Sequence, residues 1–154
     1  MLGAWQQPEG RLRDMTEADL PQVTPIERRA YPFPWPADFF RFCLHEGFVC
    51  RVLEQDGMIL GYGILALDKD LAHILNLCVR PEFQGRGLGT RLLQHLLNLA
   101  RRHGARYALL EVRPSNYAAR TLYQRMGFVR SGMRKNYYPA TGGHEDAIIM
   151  TREL

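Results

Sequence analysis

Cysteine is scarce in this chain of 154 residues: Cys43, Cys50 and Cys78 are the only three. An odd count without framework spacing excludes a disulfide scaffold. The cysteines form no zinc-spaced set with the five histidines, so no metal is expected. Long apolar runs are also missing. A membrane helix needs roughly 18 residues, and the longest candidate, MILGYGILAL (58–67), is broken by two glycines. The first residues, MLGAWQQPEG, lack a basic n-region and an apolar h-region. No secretory signal is expected, no membrane partner either, and a cytoplasmic location follows. No internal repeat, low-complexity tract or linker is present. Acidic residues are outnumbered, 16 against 20 Lys and Arg, for a net charge of +4. That bias points to an anionic ligand or partner. The basic residues are scattered and match no nucleic-acid motif, so direct nucleic-acid binding is not expected.

What is present is enough apolar residue, 46%, for one domain with a real core. Residues 10–15 read as a short strand. TEAD then offers helix-start chemistry, with Thr16 or Asp19 as cap, for a helix to about Ala30 in which Pro25 is a source of kinking. YPFPWP (31–36) is a proline-locked aromatic loop, and PADFFRFCLHEG has helical spacing ending at Gly47. Residues 48–54 and 58–67 predict a hairpin around Gln55-Asp56-Gly57, followed by a strand over 71–79. The clearest helix is 88–103, where Leu88, Leu92, Leu93, Leu96, Leu97, Leu99 and Ala100 share half of the wheel. YALLEV (107–112) reads as a strand buried on both faces. A helix over 116–126 stops at Gly127, and strands over 128–137 and 145–152 complete the chain. The order β-α-α-β-β-β-α-β-α-β-β predicts one α/β domain over 10–154, with a mixed sheet of about seven strands flanked by about four helices. Residues 1–9 read as an N-terminal extension of no assigned role.

Between the strand at 71–79 and the strongest helix stands QGRGLGTR (84–91), with glycines at 85, 87 and 89. Glycine costs roughly 1 kcal/mol against alanine inside a helix. A strand–glycine loop–helix unit turns several backbone N–H groups toward one point at a helix N-terminus, where the dipole favours anions. Without a Cβ the backbone approaches a ligand closely. The expected ligand is a pyrophosphate. The P-loop pattern is absent, and G-x-G-x-x-G fails because Thr90 stands where its last glycine belongs. A glycine-rich turn with no ligand is the bland alternative.

The segment Gln84-x-x-Gly87-x-Gly89 resembles the Q/R-x-x-G-x-G/A signature of the GNAT superfamily of N-acetyltransferases, and the order of elements agrees across residues 10–151. LEVRPSN (110–116), TLYQRMGF (121–128), RKNYYPATGGHEDAIIM (134–150) and RRAYPFPW (28–35) resemble the RimI-type ribosomal-protein-alanine N-acetyltransferases. The resemblance implies a GNAT-like fold and a direct transfer, in a ternary complex, of acetyl from acetyl-CoA to a protein N-terminus. The acceptor it implies is the N-terminal alanine of the eighteenth small-subunit ribosomal protein. It further implies a pyrophosphate loop formed by Gln84, Gly85, Arg86, Gly87, Leu88, Gly89 and Thr90. Leu77, Cys78 and Val79 are implied to offer backbone groups to the acetyl and pantetheine portions, at a splay in the sheet, and Asn116 to bond the cofactor arm.

Acetyl transfer from a thioester to an amine requires removal of an amine proton, stabilisation of an oxyanion and protonation of the departing thiolate. An α-amine, with a pKa near 7.7–8.0, is partly free at neutral pH, unlike lysine at about 10.4. Glu111 interrupts an apolar strand near its end, where burial is expected to raise its pKa. It is the candidate base, and the alternative is simple pairing with Arg113 on the same strand face. The resemblance favours the base. Tyr123 shares a helical face with Ala119 and Met126, the pattern of a core tyrosine; the resemblance implies a general acid. Asn116 also suits a helix cap. Cys78, in an apolar run, is expected to pack as a small hydrophobe. Phe33, Trp35, Tyr137 and Tyr138 are candidate walls of a peptide slot, against ordinary loop packing.

Three rivals stay open. A lysine or small-amine acetyltransferase with the same cofactor site would act only at much higher pH. A non-enzymatic module would bind acetyl-CoA tightly without turnover, although Glu111 and Tyr123 speak against it. A basic nucleic-acid-binding domain would bind with steep salt dependence.

Overall fold

A computed structural model describes residues 10–154; the extension assigned to residues 1–9 lies outside the described residues. The chain forms β1 (Arg11–Asp14), a 3-10 turn (Glu17–Asp19), α1 (Leu20–Ala30), α2 (Ala37–His45), β2 (Val49–Gln55), β3 (Met58–Asp68) and β4 (Leu71–Val79). A second 3-10 turn (Pro81–Phe83) precedes α3 (Leu88–Arg102), β5 (Tyr107–Val112), α4 (Tyr117–Arg125), β6 (Val129–Ala140) and β7 (Gly143–Glu153). The seven strands make one mixed sheet in the order β1-β2-β3-β4-β5-β7-β6. Among the described residues only β4 and β5 run parallel, and α3 makes the crossover between them.

Helices α1 and α2 cover one face. Leu20, Val23, Ile26, Phe40 and Cys43 pack there on Cys50, Val52, Tyr62 and Ile64. Helices α3 and α4 cover the other, with Leu93, Leu96, Leu97 and Ala100 against Ala72, Ile74, Ala108 and Leu110. All seven residues assigned to the apolar stripe of α3 are buried. Each fully buried leucine contributes about 1.5–3 kcal/mol relative to exposure. Gly61 and Gly63 let α3 lie close to β3, because a Cβ at either would meet Leu92 or Leu96 at under 3.0 Å.

Some boundaries differ from expectation. The first helix opens as a 3-10 turn, in which the Asp19 carboxylate accepts the Thr16 N–H at 2.8 Å. Arg13 holds that carboxylate from the sheet edge through two hydrogen bonds, at 2.8 and 2.9 Å. β5 is not buried on both faces. Ala108, Leu110 and Val112 are buried, while Tyr107 is exposed and Leu109 and Glu111 are partly covered. The reason is that the core under α1 and α2 draws on β2, β3 and β4 and on no residue of β5. β6 and β7 run further than expected, to Ala140 and from Gly143. Two extra residues bulge from β6 between Arg134 and Tyr138. Asn136 sits there at φ 53, a left-handed conformation asparagine tolerates, and the Asp146 carboxylate accepts its N–H at 2.9 Å.

Candidate active site

The glycine segment divides into two kinds of position. Gly85 and Gly87 have φ of 80 and 82, the left-handed region, and a Cβ there would meet open space. Gly87 is the N-cap of α3, whose first backbone bond runs from the Arg91 N–H to the Gly87 carbonyl. The N–H groups of Leu88, Gly89 and Thr90 therefore lack partners within the helix. No acidic residue stands in that first turn. Gly89 serves packing, since a Cβ would lie 3.3 Å from Leu122 and 3.7 Å from Val79. Leu88 is 5% exposed and packs with Leu53, Leu60 and Leu92, so its side chain is core and only its backbone faces the loop. The Arg86 guanidinium lies 4.8 Å above the Phe83 ring. The Gln84 amide donates to the Val79 carbonyl at 3.1 Å.

β4 and β5 pair only from Leu71↔Tyr107 to Ile74↔Leu110. Beyond Ile74 they part, although β4 continues to Val79 and β5 to Val112. The shift starts at an irregularity in the β3–β4 ladder, where Ile64 faces Asn76 but Leu65 faces Ile74. The Tyr31 hydroxyl reaches into this opening and donates to the Leu77 carbonyl at 2.7 Å. Of the backbone groups expected to serve a ligand, the Leu77 and Val79 carbonyls accept from Tyr31 and Gln84 in this structure. In an extended strand the N–H of a residue points the same way as its carbonyl. The Leu77 N–H therefore faces the opening as well.

The opening leads into a cavity of about 450 Å³. Leu77, Glu111, Asn116 and Tyr123 line it, as do Phe33, Trp35, Tyr137 and Tyr138. Cys78 and Val79, which end β4, and the loop 84–90, which follows it, are not part of its wall.

Glu111 does not pair with Arg113. Its Oε1 lies 2.6 Å from His73 Nε2 and its Oε2 accepts Arg134 Nε at 3.2 Å. His73 shares its face because the parallel register sets it beside Leu109. Burial pushes the Glu111 carboxyl up, but hydrogen bonds and charge from His73 and Arg134 outweigh it. The net shift is downward, opposite to the expected rise. Against an ionised carboxylate, which only accepts, His73 Nε2 must carry the hydrogen. Arg113 lies beyond the end of β5 and no longer follows strand alternation. It donates to the Pro139 carbonyl at 2.8 Å and to Glu145 at 3.2 Å.

Tyr123 is 8% exposed and meets the Phe128 ring edge-on at 5.9 Å. Burial raises its phenol above the ordinary value, with Cys78 adding to the rise. Asn116 caps α4, its side chain accepting the Ala119 N–H at 3.2 Å. Cys78 is 3% exposed and burial pushes its thiol up to about 12. It is a buried thiol, as expected of a small hydrophobe.

Tyr137 and Tyr138 are adjacent in a strand yet both line the cavity, because the bulge at Asn136 breaks the alternation. Their rings stand at 90° with centroids 4.8 Å apart. The Arg113 guanidinium lies between the Tyr138 ring, at 4.4 Å, and the Phe33 ring, at 5.2 Å. It ties the 31–36 loop to the β6–β7 hairpin across the cavity mouth. His73, Arg134, Arg113 and Tyr31 were not singled out as site residues from the sequence. For His73 a signal existed: a polar residue inside the apolar strand LAHILNLCV. For Arg134 none did, since basic residues are common on an exposed edge strand.

Comparison with known proteins agrees with this geometry. The profile of the acetyltransferase (GNAT) family matches residues 13–128. A [ribosomal protein bS18]-alanine N-acetyltransferase of Escherichia coli (strain K12) is 40% identical over 139 residues, 90% of this chain and 94% of that protein. Its counterpart from Salmonella typhimurium is 41% identical over 136 residues, 88% of this chain and 92% of that protein. The crystal structure of a ribosomal-protein-alanine N-acetyltransferase from Escherichia coli superposes with a TM-score of 0.86 at 38% identity, covering 94% of this chain and 93% of that one. With a family profile over three quarters of its length and relatives of this similarity, the chain belongs to the GNAT family of N-acetyltransferases.

Proposed function

We propose that this enzyme transfers an acetyl group from acetyl-CoA to the N-terminal alanine of ribosomal protein bS18, within a ternary complex. The carrying observation is the parted β4–β5 seam, which brings Glu111, Tyr123 and the Leu77 N–H to one cavity with aromatic walls. Relatives sharing about 40% of residues over nearly the whole chain bear the same activity in their names. Ribosomal proteins are made in the cytoplasm, to which we assign the enzyme.

The loop from Gln84 to Thr90 suits a pyrophosphate. Its left-handed glycines leave open space beside helix N–H groups, with no acid in the first turn. We assign Gln84, Gly85, Arg86, Gly87, Gly89, Thr90 and the Leu88 backbone to that cradle, and Leu77, Cys78, Val79 and Asn116 to the pantetheine arm. The bound cofactor supplies an acetyl thioester. The Leu77 N–H is assigned as the donor to the oxygen on which negative charge develops. His73 and Glu111 act as a pair. Glu111 takes up the amine's proton, and His73 holds its carboxylate in place. A carboxylate held low is a weak base for lysine but adequate for an α-amine that is already partly free at neutral pH. Tyr123, kept protonated by burial, is assigned as the acid that protonates the leaving sulfur. Phe33, Trp35, Tyr137 and Tyr138 hold the acceptor peptide with its amine inward.

The test is tandem mass spectrometry on a peptide beginning Ala-Arg-Tyr-Phe and carrying an internal lysine, incubated with enzyme and acetyl-CoA. Acetyl on the α-amine is the expected result. Acetyl on the lysine would overturn the acceptor assignment and leave the cofactor site standing. An unmodified peptide would overturn the peptide acceptor altogether.

A further inference from the structure

Glu27, near the end of α1, is 2% exposed and forms part of the cavity wall. Its Oε1 accepts the Tyr62 hydroxyl at 2.7 Å and the Asn76 amide at 3.1 Å. Its Oε2 accepts the backbone N–H of Trp35 at 3.0 Å. These donors come from β3, β4 and the 31–36 loop, and all three are neutral. Among the described residues no basic side chain pairs with Glu27, whereas the other cavity carboxylate, Glu111, has both His73 and Arg134.

Every partner of the Glu27 carboxyl donates, so both of its oxygens act as acceptors. Buried charges are normally paired with an opposite charge, because neutral hydrogen bonds offset only part of the cost of leaving water. A carboxylate has about four acceptor positions. Three are taken here, and the fourth is on Oε2. The three donors hold the group rigidly, so that it needs no rearrangement to meet a cation.

We propose that Glu27 is a specificity-determining residue for the acceptor: it is the counter-charge for the cationic amino terminus that enters the cavity. This rests on the reading of the cavity as an α-amine acceptor site. The ligand class is a peptide with a free α-ammonium. Glu27 draws in and orients the protonated form, and the His73–Glu111 pair then takes up its proton. Glu27 thus governs acceptor affinity, and His73 and Glu111 govern turnover.

The experiment compares two peptides that differ only at the first residue, one beginning with alanine and one with a propanoyl group in its place. Each is titrated into the CoA-bound enzyme, wild type and Glu27→Gln. Glutamine keeps the volume and an accepting oxygen but removes the charge. The variant is expected to lose about 10-fold or more in affinity for the amino peptide, and to bind the propanoyl peptide as the wild type does. In turnover assays KM for the amino peptide rises by the same factor while kcat stays within about 2-fold. Equal weakening of both peptides would mean a structural role only and would overturn the proposal. So would an unchanged affinity for the amino peptide. If Glu27→Gln does not fold, Glu111→Gln decides: its preference for the amino peptide over the propanoyl peptide persists if Glu27 carries it, and disappears if the proposal is wrong. Failure of the wild type to acetylate the amino peptide would instead count against the proposed function, independently of these binding ratios.

Discussion

Residues 79–90 form the proposed donor cradle from one unbroken stretch of chain, whereas the acceptor cavity draws side chains from α1, the 31–36 loop, β4, β5, α4 and β6. The cradle depends on backbone dihedrals: two left-handed glycines, then a helix start. The cavity depends on side chains meeting across long separations, such as His73 with Glu111 and Arg113 with Phe33 and Tyr138. A local device depends on the dihedrals of a few residues but needs little from the rest of the fold. A distributed one can be tuned one contact at a time. The two halves should therefore fail separately.

The largest effect is expected in the cradle. In Gly87→Val a β-branched residue is forced to positive φ and its methyls occupy the ligand's space. Acetyl-CoA affinity should fall by at least about 10³-fold, while calorimetry finds the protein folded but less stable by about 1–3 kcal/mol, the cost of the positive φ, since a Cβ at Gly87 meets no protein atom. Retained affinity would end the claim that this loop is the pyrophosphate cradle. Next comes Tyr123→Phe, which should lower kcat on the order of 10³-fold and leave acetyl-CoA binding nearly unchanged. Steady-state kinetics beside a binding titration separates the two, and unimpaired turnover removes Tyr123 from the chemistry.

Glu111→Gln should lower kcat by about 10²-fold. The sign of its pKa shift fixes the pH profile. A carboxyl held below its usual range is ionised throughout about pH 6–9, so the loss should be uniform there. A loss that shrinks toward low pH would mean that Glu111 titrates in that window and that its pairing with His73 and Arg134 breaks in the complex. The smallest effect belongs to the cavity mouth. Arg113→Met removes the cation held between Phe33 and Tyr138. KM for the peptide should rise about 10-fold with kcat and acetyl-CoA affinity unchanged. A matching loss in acetyl-CoA affinity would erase the separation of the two halves.

Much of this was legible in advance, for reasons that differ by residue. The seven-residue stripe of α3 was readable because helical period and burial coincide when one face meets a flat sheet. The glycine loop was readable because positive φ and close approach both select the same residue type. Asn116 was readable as a cap. The bulge at Asn136 was not, since asparagine in a polar edge strand has no distinctive pattern, and without it Tyr137 and Tyr138 would point to opposite faces. The direction of the Glu111 shift was also illegible, because burial alone predicts a rise and the opposing partners come from 38 residues before and 23 after.

Sequence by itself determined the order of elements, the face each helix buries and the backbone shape of the loop before α3. These rest on periodicity and on dihedral limits that act within a few residues. Only the tertiary structure decided where β4 and β5 part, that Glu111 meets His73 and Arg134 rather than Arg113, and that Glu27 has, among the described residues, only neutral partners beside the cavity. Spacing along a strand tells which face a side chain takes, but which side chain of a neighbouring strand it meets depends on register, and register is set by packing across the whole sheet.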